Sequence, residues 1–160
     1  MTASSTYSRR MAIAAFAFVA IATGGASLEA GRYYGRHYYG GWSYYPQRTY
    51  YYTSYYYKPT PSYSSYNYHY CIYYPTQPQY VYYYNPYRKV YWGRYDLKAK
   101  GYSQLAEKDQ KAELKDIPDS AFPKAGEMPG IPESDGTEKM LPIDPATLPT
   151  EKAPDDVPAK

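Results

Sequence analysis

The rhythm of apolar and polar positions changes along this chain, and each change predicts a different kind of segment. Positions 11–22 are apolar without a break, from Met11 to Ala22, with Arg9 and Arg10 before them and the small residues Thr23 to Ala26 after. A charged start, an apolar middle and a small-residue exit are the parts of a secretory signal peptide. The expectation is cleavage after Ala26, with Ala30 the alternative. The apolar run falls short of the ~20 residues that span a bilayer, so no stable transmembrane segment is expected once the signal is removed.

From 31 to 65 the rhythm is lost. Tyrosines come in doublets and triplets, such as Tyr33-Tyr34, Tyr44-Tyr45 and Tyr50-Tyr51-Tyr52, broken by glycines and by Pro46, Pro59 and Pro61. Neighbouring strand residues face opposite sides, so a doublet puts rings on both faces at once. This stretch is expected to be low-complexity and flexible. Alternation returns at Tyr66, Tyr68, Tyr70 and Ile72. Aromatic and β-branched runs then flank Asn85-Pro86, the residues a type I turn prefers at its first two positions. Three strands are predicted, at about 66–74, 79–85 and 89–95. Ser103 is placed to cap an α-helix over 104–115 that Pro118 would end. Beyond it the chain is acidic and interrupted by proline every few residues, which predicts an extended, disordered spacer over 118–160.

Composition strengthens the expectation of disorder. There are 27 tyrosines, all but Tyr7 between Tyr33 and Tyr102, while 15 prolines and 11 glycines punctuate the chain. Leu, Ile, Val and Phe are scarce, so little aliphatic surface offsets the entropy of folding. Each buried tyrosine must also find a partner for its hydroxyl. The expected fold class is therefore a largely disordered, low-complexity chain holding a small three-stranded antiparallel sheet (66–95) and one short α-helix (104–115), with 66–117 as its only module.

Charge divides the chain. Residues 31–100 carry nine Lys or Arg against the single acid Asp96, about +8, whereas 118–160 carries nine acids against four lysines, about −5. The middle suits anionic partners, or the acidic tail folds back on it.

Chemistry offers little to an enzyme. Asp96 has no carboxylate partner in the middle, and His69 and Cys71, with His37 the only other histidine, fall short of a three- or four-ligand metal set. No catalytic residue, metal or cofactor is expected. The lone Cys71 suggests an intermolecular disulfide or a free thiol. Interleaved bases and rings, as at Arg88 to Trp92, suit single-stranded nucleic acid, but export argues against that partner.

The repeated basic-Tyr-Tyr-Gly pattern of 31–41 resembles the Gly/Tyr-rich matrix proteins of shells, egg coats and adhesive secretions. That resemblance implies adhesion, self-association and tyrosine cross-linking. The hairpin from Tyr82 through Asn85 to Trp92 is similar to the Tyr-Tyr-Tyr-Asn hairpin of WW modules, but the flanking Trp and Pro those modules need are not in register. The leading expectation is an exported, non-enzymatic protein of the cell envelope or extracellular matrix that works by adhesion or self-association. The alternative is a polysaccharide-binding module that stacks sugar on Tyr83, Tyr91, Trp92 and Arg94.

Overall fold

The computed structural model describes residues 35–150. The expected signal peptide, with both its cleavage points, lies outside them, as does the end of the acidic tail. Seven strands form one antiparallel sheet: β1 (His37–Tyr39), β2 (Ser43–Tyr45), β3 (Tyr50–Tyr57), β4 (Asn67–Tyr73), β5 (Tyr80–Asn85), β6 (Val90–Asp96) and β7 (Gly101–Gln104). Their order is β1-β3-β4-β5-β6-β7, curled into a half-barrel, with β2 beside β1 on the same flank of β3. β1 lies along the far half of β3, pairing His37 with Tyr57, and β2 lies along the near half, pairing Tyr45 with Tyr50.

Local chemistry sets the corners. Thr49 turns left-handed (φ 51°) after the 3-10 turn Pro46–Arg48 and feeds the chain back into β3. The Asn85 side chain accepts hydrogen bonds from the backbone N–H groups of Tyr87 and Arg88, closing the β5–β6 turn. Asp96 does the same for Lys98 and Ala99 before β7. The lone carboxylate of the basic middle is thus a turn cap, and those bonds, with Gln79 and in spite of partial burial, hold its pKa below the usual range. A bulge at the Tyr83–Tyr84 pairing leaves Trp92 as the extra residue of β6, between partners Tyr91 and Gly93.

The expectation of a largely disordered chain with three strands and a helix is overturned. Residues 37–57, read as flexible, form β1 to β3, and the strands at 67–73, 80–85 and 90–96 are the centre of a larger sheet. Tyrosine doublets do put rings on both faces, and both faces are used. In β3, Tyr51, Thr53, Tyr55 and Tyr57 are buried while Tyr50, Tyr52, Ser54 and Tyr56 are half-buried.

The hydroxyl problem is met in part by pairing phenols with one another and with histidine, while the buried Tyr102 hydroxyl has no partner among the described residues. The hydroxyls of Tyr39 and Tyr83 lie 2.8 Å apart, Tyr55 Oη meets His37 Nδ1 at 2.6 Å, and Tyr57 Oη lies 3.3 Å from His69 Nε2. Rings thereby supply the buried area that aliphatic residues provide elsewhere.

The predicted helix over 104–115 is absent. Ser103 pairs with Arg94 inside β7, and the next backbone donors turn to the sheet rather than to a helix, Leu105 N–H bonding to Trp92 C=O. Two 3-10 turns, Glu107–Asp109 and Leu114–Asp116, occupy the rest. Leu105 and Leu114, with Ile117 just beyond the expected helix, instead anchor the chain across one sheet face.

The acidic proline-rich stretch is ordered through 150 for a related reason. Its few large apolar residues are spaced as anchors, with Ile131, Met140 and Ile143 packed on the opposite face. Proline prevents it from forming strands of its own while leaving it free to lie across a sheet. Among the described residues no helix is long and apolar enough to cross a membrane.

Candidate functional site on the outer tyrosine face

Register sorts the rings into two faces. Across the sheet, Thr53, Cys71, Tyr83 and Gly93 form one row, and Tyr51, Tyr73, Val81, Tyr95 and Tyr102 form the next. This Tyr83 face is closed by the tail anchors. On the other side, Tyr52, Ile72, Tyr82, Arg94 and Ser103 form one row and Tyr38, Tyr56 and Tyr68 another.

The residues expected to stack on a ligand are all inside. Tyr83 is 0% exposed, Tyr91 6%, Arg94 8% and Trp92 9%. Tyr83 and Trp92 belong to the Tyr83-face core, where their rings meet each other edge to face at 5.6 Å. Tyr91 packs beneath the tail segment on the Tyr82 face.

The Arg94 guanidinium is sandwiched between Tyr80 (3.9 Å) and Phe122 (4.1 Å) and bonded to Asp119. It fastens the tail to the sheet. Cys71 is fully buried among tyrosines, and burial pushes its thiol pKa well up. A second chain cannot reach it without opening the core. His69 is buried beside Tyr57 and Trp92, while His37 sits on β1 against Glu138.

Every ion pair among the described residues joins a base of the sheet region to an acid of the tail. Arg36 and His37 meet Glu138, Arg48 meets Glu113, Arg88 meets Glu107, and Arg94 meets Asp119. Four of the nine bases of residues 31–100 are thus paired within the molecule.

Tail anchors cover only part of the Tyr82 face. Leu105, Leu114, Ile117 and Phe122 pack around Ile72, Tyr82 and Tyr91, whereas Tyr38, Tyr56, Tyr66, Tyr68 and Tyr87 belong to neither buried cluster. Those five form a continuous ring array. Tyr38 stacks on Tyr56 (5.0 Å, 23°) and meets Tyr66 edge to face, and Tyr68 contacts both Tyr56 and Tyr87. Lys58 lies over the Tyr66 ring at 4.8 Å. One pair is stacked and the other contacts are tilted or edge to face, the Tyr66 hydroxyl donates to Gly35 C=O, and Tyr87 is exposed while the other four rings are half-buried.

Beside this array lies a groove of about 390 Å³ between the Pro46–Arg48 turn and tail residues 112–113. Tyr45 and Arg48 stand on one wall, Glu113 on the other, and Tyr50, Tyr52 and Tyr70 line its length.

Of the residues the sequence points to as stacking on a ligand, Tyr91 lines this groove, and the other groove and array residues were not singled out. Tyr68 and Tyr70 were visible in the alternation of β4, but the doublets of β3 and β1 hide which ring of each pair faces out. No family model matches the chain, and neither a curated protein nor a solved structure does.

Proposed function

We propose that the protein is an exported, non-enzymatic contact protein of the cell envelope or extracellular matrix, and that it works by self-association through the outer tyrosine array. The observation that carries the reading is the unequal cover of the two faces. The chain wraps the Tyr83 face and one end of the Tyr82 face with its own tail, and leaves Tyr38, Tyr56, Tyr68 and Tyr87 uncovered by either cluster. A rigid sheet presenting ring edges and phenols offers apolar area together with hydrogen bonds, the mixture found at protein contact surfaces. Four arginines of the sheet region are paired internally, which lessens the long-range repulsion that a second copy meets.

Sedimentation velocity over a concentration series tests this. The chain from residue 27 onward should associate reversibly, and a Tyr56→Ser/Tyr68→Ser variant should remain monomeric while keeping its β-rich circular dichroism. A double variant that associates as the parent does would refute the reading.

A further inference from the structure

The geometry points to a second binding site on this protein: we infer that the groove between the Pro46–Arg48 turn and residues 112–113 holds a short stretch of a neutral glycan chain. This goes beyond self-association, since the groove and the outer array use different rings.

Its walls are built. Pro46 opens the 3-10 turn, and Thr49 in the left-handed region closes it, fixing Tyr45 and Arg48 at the rim. The opposite wall is tied to the sheet by the hydrogen bond from Tyr91 N–H to Lys111 C=O and by the Arg48–Glu113 pair at 3.3 Å. Ring contacts hold the side chains between them, with Tyr50 packed against Tyr45 (5.4 Å) and Tyr74 (5.4 Å), and Tyr52 against Tyr70 (5.8 Å). A volume of about 390 Å³ is within the usual range for small-ligand sites.

The chemistry of the lining selects the ligand. A sugar ring has apolar C–H faces and a belt of hydroxyls, and it suits a site that alternates ring surface with phenolic oxygens. An apolar ligand would leave those phenols without partners on one side, a cost that disfavours it. The only charges at the groove, Arg48 and Glu113, neutralise each other, so an anionic glycan or nucleic acid gains no net attraction. Both groups remain free to hydrogen-bond sugar hydroxyls from their unpaired atoms.

The test is saturation-transfer NMR on the intact chain with cellohexaose, N-acetylchitohexaose and mannohexaose, backed by titration to obtain Kd. Tyr45 and Arg48 are exposed at the rim, so Tyr45→Ala and Arg48→Ala are expected to fold. Binding of at least one hexaose is expected, weakened by about tenfold in Tyr45→Ala and unchanged in Tyr87→Ala. Three results would overturn the inference. One is no transfer to any of the three sugars at millimolar concentration. Another is binding indifferent to both rim variants. The third is occupation by an anilinonaphthalene sulfonate dye that none of the sugars displaces. Tyr45→Ala and Arg48→Ala alter no ring of the outer array, and Tyr87→Ala alters no residue of the groove, so sugar binding and self-association succeed or fail separately.

Discussion

Tyr55 and Tyr56 are adjacent in β3 and lead opposite lives. Tyr55 is wholly buried, its hydroxyl bonded to His37 and its pKa driven far up by burial, while Tyr56 stands in the outer array between Tyr38 and Tyr68. The same side chain serves as core on one face and as surface on the other. What decides between them is cover. The Tyr83 face receives Ile131, Met140 and Ile143 from the tail, and the outer array receives no anchor from it. A ring that packs against an aliphatic anchor becomes core, and Tyr102 does so even with its buried hydroxyl unpaired among the described residues. One that has only other rings beside it stays at the surface.

The sharpest way to break that contrast is to truncate a ring on each side. Tyr83→Ala removes a fully buried ring and the partner of Tyr39, and should cost about 3–5 kcal/mol in urea unfolding. Tyr87→Ala removes a ring that is 57% exposed and should change stability by less than about 0.5 kcal/mol. Equal losses would mean that the two faces are not distinct.

The next effect is pH dependence. Burial lowers the His69 pKa to about 4, and among the described residues no partner holds a proton on its Nδ1. Above pH ~6.5 both folded and unfolded states are neutral at this residue, so it contributes no pH slope. Between that value and about 4 the unfolded chain takes a proton that the folded chain refuses, so stability falls as the pH falls. The loss approaches about 3 kcal/mol and levels off below the folded pKa. His37, also lowered, chiefly by burial and in spite of Glu138, adds in the same direction. Denaturant melts at pH 7 and pH 4.5 should show this loss in the parent and a clearly smaller one in His69→Gln.

A smaller effect tests the interlock of β6 with β7. A Cβ on Gly93 would lie 2.0 Å from Tyr102 Oη and 2.8 Å from the Ser103 carbonyl oxygen, so the ring and the strand must both shift. Gly93→Ala should destabilise by about 1–3 kcal/mol, read from the midpoint of thermal or urea unfolding. A neutral outcome would mean that the Tyr102 ring is not seated where the row of Val81 and Tyr95 places it.

Much of the centre of this sheet was legible in the sequence, and its extent was not. The alternation of Tyr66 to Ile72 and the Asn85-Pro86 turn are local signals, and strands stand at Asn67–Tyr73, Tyr80–Asn85 and Val90–Asp96. β3 is written as Tyr50-Tyr51-Tyr52-Thr53-Ser54-Tyr55-Tyr56-Tyr57, which carries no hydrophobic period because tyrosine occupies both faces. Its strand character comes from pairing with β4 and from tail residues some eighty positions away, and no local window contains that. The helix expected at 104–115 failed for the same reason, since Leu105 and Leu114 satisfy a helical stripe and a draped strap equally well. The residues expected to stack on a ligand, Tyr83, Tyr91, Trp92 and Arg94, lie in the hairpin strands and are buried. Burial follows the cover supplied by the tail, and that cover is set by spacing between distant anchors.

The claim at the centre of this account is that alternate tyrosines of one strand differ in exposure. Tyrosine nitration under native conditions, followed by peptide mass spectrometry, tests it residue by residue. Tyr45, Tyr63 and Tyr87 should react first, the outer pair Tyr56 and Tyr68 more slowly, and Tyr55, Tyr57, Tyr83 and Tyr102 only after denaturant is added. Modification of Tyr55 and Tyr83 at the rate of Tyr87 in the native protein would contradict the account.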